Sequence, residues 1–167
     1  MFILSIDAST KATGWAIFND HQLVEYGMVT ATSTDLIKRL HKITNDLKPI
    51  IEKYNIKKVI LEEVRPEMGT QNIKTHRALM WLQGALATML HDDYNFSLDD
   101  IVYLYPSEWR KVCGIKTGSG VRRESLKPKD IAFVKQTYNI DVNDDIADAI
   151  GIGYAYTRTN LNRLEWG

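Results

Sequence analysis

Apolar residues along this chain alternate or recur in blocks that spell out strands and helices. Met1 to Asp7 reads as a first strand, because Phe2-Ile3-Leu4-Ser5-Ile6 is nearly all apolar and closes on Asp7. Ala12-Thr13-Gly14-Trp15-Ala16-Ile17-Phe18 is rich in strand-forming residues, and Asn19-Asp20 supplies a turn into a third strand, Gln22 to Thr30. Leu36, Ile37, Leu40, Ile43, Leu47, Ile50 and Ile51 then share one helical face, with Ser33 or Thr34 as the expected cap and Asn55 as the stop. Val59-Ile60-Leu61 ends on Glu62 and suits a central strand covered on both faces. A second helix, roughly Asn72 to His91, is apolar nearly all the way round, more than one sheet face can cover. Ile101 to Tyr105 forms a fifth strand stopped by Pro106, and Ser107 caps a short helix to Val112. Gly114 to Lys129 reads as a mobile, basic loop, and helices at Lys129–Tyr138 and Asp144 to about Asn160 close the chain.

This order predicts an α/β fold: a five-stranded mixed sheet flanked by helices, in one domain over residues 1–167. Within it, four acids stand where a core would be expected. Asp7 and Glu62 end two apolar strands, and Asp145 and Asp148 interrupt an otherwise apolar helix. A carboxylate against a core is costly unless something positive meets it. Oxygen-only ligation favours Mg²⁺ or Mn²⁺ over zinc. Ligand sites in open α/β sheets gather at the carboxyl ends of strands, so parallel, adjacent first and fourth strands would make Asp7 and Glu62 neighbours. Asp145 and Asp148, at i and i+3, share a helix face in the first turn, where the dipole favours anions. Read singly, each acid fits a turn, a solvated strand exit or a helix start; only their joint occurrence points to metal.

Composition narrows the class. A charged fraction of 25% and a hydrophobic fraction of 44% describe an ordinary globular protein. No apolar stretch is long enough for a membrane span and no signal peptide is visible, so a cytoplasmic location without membrane partners is expected. A lone Cys113 excludes an intrachain disulfide, fits a reducing compartment, and forms no zinc spacing with the histidines. Net charge is zero, but between Glu108 and Lys135 eight basic residues face three acids. That asymmetry suits an anionic partner. The glycines of the loop lack the Gly-Lys-Ser/Thr end of a nucleotide-binding loop.

Three motifs carry a resemblance. Ile6-Asp7-Ala8-Ser9-Thr10-Lys11-Ala12-Thr13-Gly14-Trp15-Ala16, Ile60-Leu61-Glu62-Glu63-Val64 and Asp145-Ile146-Ala147-Asp148-Ala149 resemble, in order and spacing, the motifs of the RuvC family of Holliday-junction resolvases. The resemblance spans most of the chain. It implies a ribonuclease H-like fold and a homodimer that binds branched DNA. It also implies hydrolysis with two Mg²⁺ per active site, Mn²⁺ able to substitute, leaving a 5′-phosphate and a 3′-hydroxyl. Asp7, Glu62, Asp145 and Asp148 map onto the catalytic and metal-binding acids. Expected DNA contacts are Arg65, Lys74, Arg77, Lys116, Arg122, Arg123, Lys127 and Lys129, and the expected dimer seam is Leu79, Leu82 and Leu86 on the second helix.

The chain also departs from that family. Bacterial members carry an aromatic where this chain has Arg65, and the basic loop is longer. Phage-encoded relatives depart similarly, so the setting is a bacterial or phage-infected cell. Arg65 points toward selection by branch shape, with three-way and flap DNA cut besides four-way junctions, because phosphate contacts carry no sequence information. Two other functions compete with this reading. A catalytically inactive junction-binding protein would lack one of the acids. An actin- or sugar-kinase-like nucleotide-binding fragment would share the Asp-Ala-Ser-Thr opening, but 167 residues are too few for the duplicated domain such enzymes need.

Overall fold

Three antiparallel strands open the chain: β1 (Phe2–Asp7), β2 (Ala12–Asn19) and β3 (Gln22–Thr30). Helix α1 (Leu36–Tyr54) then crosses to β4 (Lys58–Glu62), which lies parallel to β1. After α2 (Ile73–Tyr94), β5 (Ile101–Leu104) adds parallel to β4. The sheet order is β3-β2-β1-β4-β5. Helices α3 (Pro106–Val112), α4 (Arg123–Tyr138) and α5 (Asp144–Arg158) complete the fold. This computed structural model describes residues 1–64 and 73–159. Arg65, the expected helix start at Asn72, and Trp166 lie outside the described residues.

Strand alternation sorts the core into two layers. Leu4, Ile6, Val59 and Leu61 pack under α1 and α2 with Ile43, Leu47, Leu82 and Leu86. Ile3 and Ile60 face the other way, onto Trp109, Val134 and Ile150 of α3, α4 and α5. Ser5 lies between Ile3 and Asp7 on that second face, and its hydroxyl donates to the Ala149 carbonyl of α5 at 2.7 Å. By the same parity Asp7 and Glu62 point toward α5. Small residues on α5 let it lie close: a Cβ on Gly151 would come within 2.6 Å of the Trp109 ring.

Several boundaries differ from the sequence reading. Asp35, not Ser33 or Thr34, caps α1: its Oδ1 accepts from the Ile37 amide at 2.8 Å, while Ser33 Oγ holds the Asp35 amide at 3.1 Å. Asn55 does end that helix, in the left-handed region at φ 49°. Pro106 opens α3 in place of Ser107 as cap, its missing N–H costing nothing at a first helical position. The expected basic loop is shorter, because α4 starts at Arg123, before Pro128 rather than after it. Leu82 and Leu86 were expected at a dimer seam but are fully buried in the protomer's own core, and Leu79 is half-buried. Their i, i+4 stripe faces the sheet; the apolar residues that α2 turns outward are Ile73, Met80 and Trp81.

Candidate active site

Asp7 and Glu62 end adjacent parallel strands. The last paired residues are Ile6 and Leu61, so the two acids stand one step beyond, side by side. Gly14 of β2 is opposite Asp7 in the antiparallel register. A Cβ on Gly14 would sit 2.0 Å from the Asp145 carbonyl oxygen, so only glycine lets the first turn of α5 settle here. The preceding Thr13 closes the loop after Asp7, its hydroxyl donating to the Ser9 carbonyl at 2.6 Å. Asn143 caps α5 by accepting from the Ile146 amide at 3.0 Å, which fixes the turn carrying Asp145 and Asp148. All four acids line one cleft of about 1110 Å³, together with Ser9, Glu63 and Arg110.

Each acid is held differently. Trp109, fully buried, donates its indole N–H to Glu62 Oε2 at 2.7 Å. Gln83 of α2 donates to the Glu62 carbonyl at 2.9 Å, tying down the end of β4. Arg110 reaches Asp148 Oδ2 at 3.4 Å, while Asp148 Oδ1 is buried without a partner. Burial raises the Asp148 carboxyl well above the ordinary range; the charges of Asp7 and Asp130 add to this, and Arg110 opposes it. Burial, with Asp144 beside it, also raises Asp145. Asp144 itself is held low by its hydrogen bond to Lys127. The cleft thus gathers six acids, and a divalent cation would answer the orphaned Asp148 oxygen. The donor set, carboxylates alone, fits Mg²⁺ or Mn²⁺. Among the described residues no three His, Cys, Asp or Glu side chains stand together as a ligating cluster.

The basic residues expected at DNA divide. Lys74 and Lys127 line the cleft. Arg77, Lys116, Arg122 and Lys129 are exposed but outside its lining. Arg123 begins α4, and Arg65 is outside the described residues. Lys11 and Arg39 also line the cleft and were not anticipated. Nor were Trp109 and Gln83 as partners of Glu62, or the buried pair of Arg110 and Asp130. No local spacing marks these contacts, since Trp109 and Glu62 are 47 residues apart.

The family model described as Lactococcus phage M3 protein matches residues 1–158, and the chain belongs to that family. A crossover junction endodeoxyribonuclease RuvC from Ehrlichia ruminantium (strain Gardel) is 31% identical, with 90% of this chain and 94% of that protein aligned. The chain belongs to the RuvC family. A second RuvC, from Ehrlichia chaffeensis, is 28% identical over 96% of this chain and all of its own length. Thermus thermophilus RuvC, solved in complex with a Holliday junction substrate, superposes with a TM-score of 0.70 at 13% identity, covering 94% of this chain and 91% of that one. Fowlpox virus resolvase, solved with Holliday junction DNA, gives 0.57 at 19% identity over 93% and 97%. Both share the fold. The three stretches that resemble RuvC motifs are the ones that meet in the cleft: the end of β1, the end of β4 and the first turns of α5. The phage description of the matching family model also accords with the departures from the bacterial RuvC pattern.

Proposed function

We propose that this chain is a structure-selective endonuclease that cuts branched DNA, four-way junctions foremost, by metal-dependent phosphodiester hydrolysis. The reading takes residues 1–167 as one nuclease domain, acting in recombination or in resolving replicated DNA in the cytoplasm of a bacterial or phage-infected cell. The observation that carries it is the meeting of Asp7, Glu62, Asp145 and Asp148 in one cleft, drawn from three separated segments. These four would hold two Mg²⁺ ions, with Mn²⁺ able to substitute. Bound there, the ions would activate the attacking water, offset phosphate charge and stabilise the leaving alkoxide. Trp109 orients Glu62. Lys11, Lys74 and Lys127 offer charge to the DNA backbone at the rim, and Lys127 must exchange Asp144 for a phosphate to do so.

The homodimer in this reading forms through the outward face of α2. Met80 and Trp81 are about half exposed there, and Gly84 leaves open space beside them for a second helix. Two such cleft-bearing protomers related by a two-fold axis would match the pseudo-symmetry of a four-way junction. Presence of all four acids favours this reading over an inactive junction binder. The direct test incubates the protein with end-labelled four-way, three-way, flap and linear DNA, with and without Mg²⁺. Nicking of branched DNA only, and only with Mg²⁺, is expected; cleavage of linear duplex at an equal rate, or none of any substrate, would reject it.

A further inference from the structure

Arg110 and Asp130 form a buried ion pair beside the cleft, on α3 and α4, outside the four acids. Arg110 is 8% exposed and Asp130 1%. The Arg110 Nε–H donates to both Asp130 carboxylate oxygens at 3.1 Å, and Nη2 donates to Asp130 Oδ2 at 2.9 Å. The same Nη2 lies 3.4 Å from Asp148 Oδ2. The guanidinium also stacks over the neighbouring Trp109 ring, 4.2 Å from its centroid. One cation thus serves two carboxylates unequally: a close fork to Asp130 and one long contact to Asp148.

That inequality matters for a carboxylate that must bind metal. A guanidinium closed bidentately on a carboxylate ties up both oxygens in strong charge-assisted hydrogen bonds, and so competes with a metal cation for them. Arg110 is near enough to Asp148 to close on it, and the fork to Asp130 instead holds Nη2 at 2.9 Å from Asp130 Oδ2 and 3.4 Å from Asp148 Oδ2. Asp148 keeps one oxygen, Oδ1, with no donor. We propose that Asp130 is a positioning residue that holds Arg110 off Asp148, so that Asp148 stays available to a divalent cation and the Arg110–Asp130 pair sets the metal affinity of the cleft. This rests on the metal reading of the four acids. The negative charge of Asp130 acts in the same direction, because it offsets the guanidinium that would otherwise repel an incoming cation.

Mn²⁺ titration of the full chain by calorimetry, without DNA, tests this, with thermal unfolding and junction binding in EDTA measured alongside. Asp130→Asn keeps the shape but releases Arg110 onto Asp148, and the Mn²⁺ Kd is expected to weaken by about tenfold or more. Arg110→Gln combined with Asp130→Asn removes the competitor together with its restraint, and the Kd is expected to return to within about threefold of wild type. A pair that merely ties α3 to α4 would lower the unfolding temperature in both variants and leave both Kd values unchanged, which would overturn the proposal. A double variant weaker than the single one would overturn it too, since Arg110 would then be aiding metal binding. If Asp130→Asn fails to fold, the double variant decides: a near-wild-type Kd supports the proposal and a tenfold loss overturns it. Asp7→Asn separates this from failure of the metal reading. If that variant binds Mn²⁺ like wild type, the four acids are not the site; if it loses binding while Asp130→Asn does not, only the role of Asp130 falls.

Discussion

A single buried donor decides how Glu62 is presented. Trp109→Phe keeps an aromatic ring in this buried position but loses indole atoms beside Gly151 and the N–H that holds Glu62 Oε2. A hydrogen bond to a charged acceptor is worth about 1.5–3 kcal/mol, and partners of metal-binding groups typically matter about 10- to 100-fold in activity. Cleavage by Trp109→Phe should fall by about that factor with junction binding unchanged, measured under single-turnover conditions; an unaltered rate would show that Glu62 is held by its strand alone. Lys127 is a separate case. Lys127→Ala should weaken junction binding and flatten the slope of log affinity against log salt by about 0.9, the signature of one lost phosphate contact. An unchanged slope in binding isotherms would remove Lys127 from the DNA interface. The four acids stood out in the sequence jointly, because Asp7 and Glu62 end apolar runs and Asp145 and Asp148 interrupt an otherwise apolar helix. Trp109 and Asp130 did not, because an indole in a core and an acid in a charged helix are both ordinary until the fold supplies their partners. Arg110 looked like one of several basic residues, and only burial distinguishes it.

Helix placement rests on positions where a side chain would intrude. Gly14→Ala puts a methyl where the Asp145 carbonyl lies, so α5 must shift away from β2 or the strand must bend. Such overpacking costs about 1–3 kcal/mol, and cleavage should fall with it because Asp145 and Asp148 ride on the displaced turn. A Gly14→Ala protein of wild-type stability and rate, by thermal unfolding and nicking assay, would contradict that placement. Helix α2 gives a paired test. Trp81→Glu changes an outward residue and should yield a folded monomer by light scattering, whereas Leu82→Glu buries a charge in the core and should unfold. A Trp81→Glu protein that remains dimeric would move the interface elsewhere. The five strands followed from their apolar runs, while the parallel β1–β4 pairing was only the condition under which Asp7 and Glu62 become neighbours, and the fold meets it. The start of α4 did not follow, because Pro128 and the basic, glycine-rich segment before it carry the local signals of a loop. The α2 seam was misplaced for a related reason: a helix apolar on most sides does not reveal which stripe faces its own sheet.

Across the whole molecule, a ribonuclease H-like sheet brings the four acids to one cleft, and the proposed dimer would pair two such clefts about a two-fold axis. With Arg65 in place of the bacterial aromatic, cutting should follow branch shape more than base sequence, and three-way and flap DNA should be nicked as well. Confinement of cuts to one short sequence on a mobile four-way junction would contradict that expectation. The central claim, that the four acids form the hydrolytic centre, is tested most directly by one comparison. Wild-type and Asp7→Asn proteins are placed on the same four-way junction, bound without metal, and started with Mg²⁺. Loss of a metal-holding carboxylate removes several kcal/mol of transition-state stabilisation, so cleavage by Asp7→Asn should fall by about a thousandfold or more while its junction affinity is retained. Cleavage by Asp7→Asn at the wild-type rate would contradict it.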